Sequence, residues 1–300
     1  RIHDPQINRL TIIANEAYTS PGLGRLPGTQ ADAAVMSAAL ARAGFEVRIE
    51  RNLTRAKMQE ALSIFASDLQ ALGPYGVGFL YYSGHGMADG PRGRNYLIPI
   101  DATIRATTDL PVVALALDDQ LAAIELAGAG GTIFVIDACR NTPLSLTRNG
   151  RGFAPMNAAT DTLIAFSTAP GEIAEDDGLY ARTLAEEIAL PGVDISTVFQ
   201  RVQVRVAEAT KRKQRPRYDN GLLSPLVMVS QLPALSAQAR SAPDLMPPDE
   251  LAALGARSVA TRSSSPSAAE TTPPATDFTL VSRLLAQMTL EEKIGQITLL

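Results

Sequence analysis

The sequence predicts an α/β protein, with a mostly parallel sheet that has helices on both of its faces. Short β-rich runs alternate with helical patterns over the first 231 of the 300 residues. Two of the runs, residues 77–82 and 132–136, are apolar throughout instead of alternating with polar residues. Because an unbroken apolar run is typical of a strand buried on both faces, helices are expected on both sides of the sheet.

The predicted elements follow one another in the strand–helix order that a parallel sheet requires. Strands are predicted at β-rich runs, over residues 10–14, 45–50, 77–82, 132–136 and 162–166. Helices are predicted where apolar residues recur at helical spacing, over residues 30–43, 54–72, 179–190 and 195–209. Thr54 is expected to cap the second helix, because its hydroxyl can accept a hydrogen bond from an N–H of the first turn.

The chain changes character after residue 231. Residues 232–277 are rich in Pro, Ser, Ala and Thr and cannot bury enough apolar area to offset the entropy of ordering, so they predict a flexible linker. Residues 278–300 are amphipathic again and predict a helix that could open a second, truncated domain. The first residue is Arg1 and not Met, which suggests a cut or processed chain and leaves a lost signal peptide open.

Composition excludes several classes of function. The net charge is −4, from 27 Lys and Arg against 31 Asp and Glu, so a chain-wide attraction to nucleic acid is not expected. No stretch approaches the roughly 18 apolar residues of a spanning helix, so we expect no membrane partner and a cytoplasmic location. One Cys cannot form an internal disulfide, and with two His it leaves little for a zinc site.

Candidate catalytic residues follow the two fully apolar strands. In a parallel sheet, ligands bind at the carboxyl ends of the strands, and there residues 77–82 lead into Ser83 and His85 while residues 132–136 lead into Asp137 and Cys139. Side chains two apart on a strand share a face, so Ser83 is expected to point with His85 and Asp137 with Cys139. The glycines beside His85 would let a substrate backbone approach closely.

A thiol and an imidazole at one sheet rim suit nucleophilic catalysis. His85 can take the proton of Cys139 and later protonate a leaving amine, and the backbone N–H groups of Gly86 and Cys139 could face the developing oxyanion. Taken singly, each residue has a plainer interpretation. A lone Cys at the end of a buried strand is usually a small apolar residue, and a His beside a turn is often only hydrogen-bonded.

The two motifs together resemble the caspase-like cysteine peptidases of the peptidase C14 type, and most closely their bacterial metacaspase-like branch. The motifs are 83–86, Ser-Gly-His-Gly, and 137–141, Asp-Ala-Cys-Arg-Asn, with Cys139 placed 54 positions after His85. Similar segments extend the resemblance to about residues 8–230: Asn15 with Tyr18, 31–33, 95–102 and 165–171. Glu16 and Gln30 depart from the family pattern, but both lie away from the dyad in sequence.

The resemblance implies a caspase-like sandwich fold and an endopeptidase with Cys139 as the nucleophile and His85 as the general acid and base. It also implies a substrate pocket formed by Asp32, Ser83 and Asp137. An acidic pocket should accept Arg or Lys of a protein or peptide substrate before the scissile bond, and it should reject Asp.

No cofactor is expected. Some metacaspase relatives use calcium, and Glu172, Glu175, Asp176 and Asp177 could bind it, but their spacing fits no calcium loop and favours a solvated acidic turn.

Three other interpretations stay open at this point. A catalytically silent caspase-like interaction module would carry the same motifs. Gly22, Gly24 and Gly28 superficially mimic a dinucleotide-binding loop, although they begin too far after the first strand. Residues 284–300 resemble the start of a family 3 glycoside hydrolase, so the chain could be the N-terminal part of a fusion to such an enzyme.

Overall fold

The fold is a central sheet with helices on both faces. The computed structural model of the chain describes residues 8–20, 22–90, 93–139, 153–169 and 177–230. In this part of the chain the strands are β1 Asn8–Ala14, β2 Glu46–Arg51, β3 Val77–Ala88, β4 Asn95–Leu97, β5 Leu115–Ala116, β6 Gly131–Cys139, β7 Thr162–Phe166 and β8 Arg217–Asn220. The α-helices are α1 Gly28–Arg42, α2 Arg55–Leu72, α3 Leu110–Val113, α4 Leu117–Glu125, α5 Leu179–Ile188 and α6 Ile195–Ala209.

The main path of the sheet has the strand order β2-β1-β3-β6-β7-β8. The pairings from β2 through β7 are parallel, and β8 pairs with β7 antiparallel at the edge. The two short strands β4 and β5 extend from the far end of β3 through antiparallel pairings. The α/β class and the mostly parallel sheet predicted from the sequence are therefore confirmed.

The central strands bury both of their faces, as their unbroken apolar runs predict. On β3, Phe79 and Tyr81 pack into one apolar core, which is covered by α1, α5 and α6. Leu80 and Tyr82 alternate with them and pack into the second core, which is covered by α2 and α4. Because successive side chains of a strand point to opposite faces, one run of apolar residues supplies both cores.

The strands that carry the candidate residues are longer than predicted. β3 continues through His85 to Ala88, since its end pairs with β6 on one side and with β4 on the other. β6 likewise continues to Cys139. The strands predicted from the apolar runs end at residues 82 and 136, but glycine is tolerated in a strand where neighbouring groups approach closely.

Other bounds differ by small amounts. Helix α1 begins at Gly28, two residues before its predicted start, and Thr54 caps α2 as predicted, with its side chain accepting from the N–H of Lys57. The strands β4, β5 and β8 and the helices α3 and α4 had no prediction, because they are short or partly polar. No helix within the described ranges has the length and apolar character needed to cross a membrane. The linker predicted at 232–277 and the helix predicted at 278–300 lie outside the described residues and stay predictions.

Candidate active site

The register between β3 and β6 brings the His and the Cys together. These two strands are parallel neighbours, with Ser83 in register with Asp137 and His85 in register with Cys139. Neighbouring strands lie about 4.8 Å apart. The backbones at His85 and Cys139 are therefore close enough for the two side chains to form a hydrogen bond. The position of the Cys139 thiol lies outside the part of the chain that the structure describes.

The imidazole of His85 is buried and held by a backbone carbonyl. Its Nε2 lies 2.8 Å from the carbonyl oxygen of Gly24, in the segment that follows β1. A carbonyl oxygen only accepts, so Nε2 must carry a proton and donate it. Nδ1 is then the nitrogen that exchanges protons. The ring of Tyr18 packs against the imidazole with ring centroids 4.5 Å apart, which fixes the plane of the imidazole further.

Two tyrosine hydroxyls hold the backbone of His85 on both sides. The N–H of His85 donates to the hydroxyl of Tyr18 at 2.7 Å, and the hydroxyl of Tyr82 donates to the carbonyl of His85 at 2.7 Å. Gly84 makes room for both hydroxyls, because a Cβ there would lie 2.6 Å and 2.7 Å from them. The space beside this glycine is therefore filled by the protein itself, and the predicted close approach of a substrate backbone does not account for it.

Gly86 has a similar reason to be glycine. A Cβ at Gly86 would lie 2.1 Å from the ring of Phe153, which packs over the end of β3. Asn95 holds that segment in place, since its side chain accepts from the N–H of Ala154 at 2.6 Å and donates to the carbonyl of Ala154 at 3.0 Å. These contacts join the segment after the His strand to the segment after the Cys strand.

The three residues predicted to form the substrate pocket lie close together and are buried. The hydroxyl of Ser83 donates to Oδ2 of Asp32 at 3.2 Å, which joins β3 to α1. Oδ2 of Asp137 accepts from the hydroxyl of Tyr81 at 2.6 Å. Asp32 and Asp137 are each only 6 % exposed. Two carboxyl groups therefore lie under the rim of the sheet on the face that α1 covers.

Burial, together with the negative charges of these carboxyl groups, raises the pKa values of two tyrosines. Burial raises the pKa of Tyr81 well above its usual range, and the negative charges of Asp137 and Asp32 raise it further. Burial and then the charge of Asp137 raise the pKa of Tyr180, on α5, in the same direction. Both phenols therefore keep their protons at any pH at which the protein works.

Several residues that shape the site carry no obvious motif. The carbonyl of Gly24 orients the imidazole, although Gly24 stood out in the sequence only as part of a mimic of a dinucleotide-binding loop. The sequence marks Tyr81 and Tyr82 only as members of the apolar run 77–82. A signal was present, because a buried tyrosine hydroxyl needs a hydrogen-bond partner, and two such tyrosines follow each other directly before Ser83.

The acidic residues after β7, considered above as a calcium site, lie mostly outside the described residues. Glu172, Glu175 and Asp176 lie outside the described residues. Asp177 uses Oδ1 to accept from the N–H of Leu179 at the start of α5, which is an ordinary helix-start contact. Within the described ranges, no three His, Cys, Asp or Glu residues are grouped as a metal ion would require.

A mostly parallel α/β sheet with a histidine strand and a cysteine strand paired at its carboxyl rim defines the class of caspase-like cysteine peptidases. The model of the caspase domain family, peptidase C14, matches residues 8–227, and the chain belongs to this family. It carries a caspase-family cysteine peptidase domain, as the sequence motifs predict.

Solved structures agree in fold. The chain is similar to the structure of pro-sf-caspase-1, with a TM-score of 0.58 and 18 % identity over 77 % of this chain and 94 % of that one. It is also similar to the crystal structure of caspase-1 from Spodoptera frugiperda, with a TM-score of 0.56 and 20 % identity over 77 % of this chain and 92 % of that one. No curated protein matches the chain.

Proposed function

We propose that this chain is a cysteine endopeptidase that cuts protein or peptide substrates after Arg or Lys, with Cys139 as nucleophile and His85 as general acid and base. The observation that carries the proposal is the register of His85 with Cys139, combined with the bond from Nε2 of His85 to the carbonyl of Gly24. That bond leaves Nδ1 to accept and return the proton of a thiol.

Acylation proceeds in two steps that balance with these two side chains alone. Nδ1 of His85 takes the proton of the Cys139 thiol, and the thiolate attacks the carbonyl carbon of the scissile bond. A carbon–sulfur bond forms while the carbonyl π electrons move to oxygen. When the tetrahedral intermediate collapses, the carbon–nitrogen bond breaks and the leaving amine takes the proton from His85, which leaves a thioester on Cys139.

Deacylation uses the same groups in reverse. Nδ1 of His85 takes a proton from a water molecule, whose oxygen attacks the thioester carbon. The carbon–sulfur bond then breaks, the thiolate regains a proton from His85, and a carboxylic acid leaves. We assign the backbone N–H groups of Gly86 and Cys139 to the oxyanion in both halves, because Gly86 directly follows His85 on β3 and Cys139 is in register with His85 on β6.

Substrate preference is assigned to the buried carboxyl groups. Asp32 and Asp137 are held by hydroxyl donors, and Ser83 lies with them, so the pocket offers negative charge to an incoming side chain. A guanidinium or ammonium group would make charge-assisted hydrogen bonds there, whereas an Asp side chain would meet two like charges. An acid at position 137 also supports the metacaspase-like branch, because animal caspases carry Gln at the corresponding position of the motif.

The function is tested with matched fluorogenic peptides and an active-site label. We expect a peptide ending in Arg to be cut and the same peptide ending in Asp to be left intact, without any added metal or cofactor. An Arg-directed thiol-reactive inhibitor should label Cys139, and Cys139→Ala should lose both the label and the cleavage. Cleavage of the Asp peptide in preference to the Arg peptide would overturn the assigned specificity. The mechanism would be overturned if the inhibitor failed to label the wild-type protein, or if the Cys139→Ala variant still cleaved the Arg peptide.

A further inference from the structure

The face of the sheet that carries Ser83 and Asp137, two of the proposed pocket residues, also carries Tyr81. Tyr81 precedes Ser83 by two residues on β3, so the two side chains share a face, and Ser83 is in register with Asp137. The phenol of Tyr81 reaches diagonally across to β6 and donates to Oδ2 of Asp137 at 2.6 Å. Tyr81 itself is fully buried.

We propose that Tyr81 is a positioning residue for substrate recognition, which fixes the Asp137 carboxylate in one orientation and keeps it ionised for a basic side chain. The proposal rests on the proposed cleavage after Arg or Lys. A phenol that donates to a carboxylate favours the charged form of that carboxylate. Without that donor, a carboxyl group so deeply buried would take up a proton more readily.

The hydroxyl of Tyr81 remains a hydrogen-bond donor to Asp137 across the working pH range. Burial, and then the charges of Asp137 and Asp32, raise the pKa of Tyr81, so its hydroxyl keeps the proton that it donates. Within the described residues, the titratable and charged groups near this cluster include Asp32 from α1, Tyr81 from β3, and Tyr180 and Arg182 from α5. Of these tyrosines, Tyr81 is the one whose hydroxyl bonds the Asp137 carboxylate.

Tyr180 provides a matched control in the same core. It is 3 % exposed, packs into the same apolar cluster as Tyr81 and lies within the electric field of Asp137. Its hydroxyl has no hydrogen-bond partner in the part of the chain that the structure describes. Tyr180→Phe therefore removes a buried hydroxyl near Asp137 without removing a bond to it, whereas Tyr81→Phe removes the bond.

The experiment compares the two variants on peptides ending in Arg and in citrulline, a neutral side chain with nearly the same shape as Arg. We expect Tyr81→Phe to raise KM for the Arg peptide with little change in kcat and to lower the Arg-to-citrulline selectivity about 10-fold, the size of one hydrogen bond to a charged group. The acidic limb of its kcat/KM profile should move to higher pH, because Asp137 now protonates more readily. Tyr180→Phe should keep the wild-type selectivity and profile.

The rates are normalised to the amount of protein that the inhibitor labels, so that misfolded protein does not enter the comparison. In an Asp137→Asn background the same Tyr81→Phe change should have no further effect on selectivity. If Tyr81→Phe lowers cleavage of both peptides equally and leaves the pH profile in place, the hydroxyl is only structural and the inference is wrong. If the wild-type protein does not prefer the Arg peptide, the proposed function fails first, so the two failures are distinguishable.

Discussion

Replacing Gly84 by Ala should displace His85, the proposed general acid and base, while leaving its side chain unchanged. A Cβ at this position would lie 2.6 Å from the hydroxyl of Tyr18 and 2.7 Å from that of Tyr82. The Tyr18 hydroxyl would have to move by about 0.8 Å to restore an ordinary 3.4 Å contact. Both hydroxyls bond the backbone of His85 at 2.7 Å, so neither can move without loosening that backbone.

The magnitude follows from these contacts. Overpacking a buried site costs about 1–3 kcal/mol. Weakening two hydrogen bonds adds about 1 kcal/mol for each of them. We therefore expect Gly84→Ala to lower the free energy of unfolding by about 3–5 kcal/mol. A catalytic group displaced by about 1 Å can cost about 100-fold in rate, so kcat should fall by that order.

Urea unfolding gives the stability change, and the Arg peptide gives kcat on protein that remains folded. Gly131→Ala is the matched control, because Gly131 is also a buried strand glycine and its Cβ would meet Leu222 at an ordinary 3.5 Å. We expect this control to keep its stability and rate. If Gly84→Ala were as stable and as active as Gly131→Ala, the clamping of His85 by the two tyrosines would not matter for catalysis.

Three further outcomes are expected. Asp32→Asn should raise KM for the Arg peptide about 10-fold with a smaller change in kcat, because the substitution removes a negative charge from the proposed pocket. A fall in kcat with no change in KM would argue against a role of Asp32 in binding. The contribution of Tyr81 and Tyr180 to the free energy of unfolding should be full below about pH 10 and fall above it, because both phenols ionise first in the unfolded chain. The double variant Tyr81→Phe with Tyr180→Phe should show a smaller fall above that pH than the wild-type protein. Equal slopes would contradict the raised pKa values. Dialysis against a chelator should leave cleavage of the Arg peptide unchanged, since the thiol–imidazole steps balance without a metal ion. A loss of cleavage that added calcium restores would instead support calcium binding by the acidic residues at 172–177.

Local sequence patterns account for most of the sheet and its long helices. The apolar runs of β3 and β6 predicted strands buried on both faces, and α6 has the bounds that its periodicity predicts, residues 195–209. The strand extension through His85 was missed, because it depends on pairing with β4 and β6 and not on the propensities of Gly and Ser. Tertiary pairing overrode local preference at this point.

The candidate site was predictable where a side chain carries the chemistry and unpredictable where a backbone atom does. His85, Cys139 and the two pocket carboxyl groups stand at strand and helix positions that a motif can mark. The carbonyl that orients the imidazole belongs to Gly24, which lies 61 residues away in sequence, and every residue has such a carbonyl. Its role became visible only when the fold placed it 2.8 Å from Nε2.

The pairing of β3 with β6 also determines when the proposed dyad can first form during synthesis of the chain. The histidine strand and the cysteine strand are adjacent in space, but Cys139 lies 54 positions after His85 along the chain. At about 5–20 residues per second, a ribosome extends the chain for several seconds between the two. A nascent chain therefore carries an incomplete dyad until β6 has emerged and joined the sheet, and contacts of such long sequence separation form late in folding. The order of the strands thus delays formation of the proposed dyad until most of the sheet has been assembled around it.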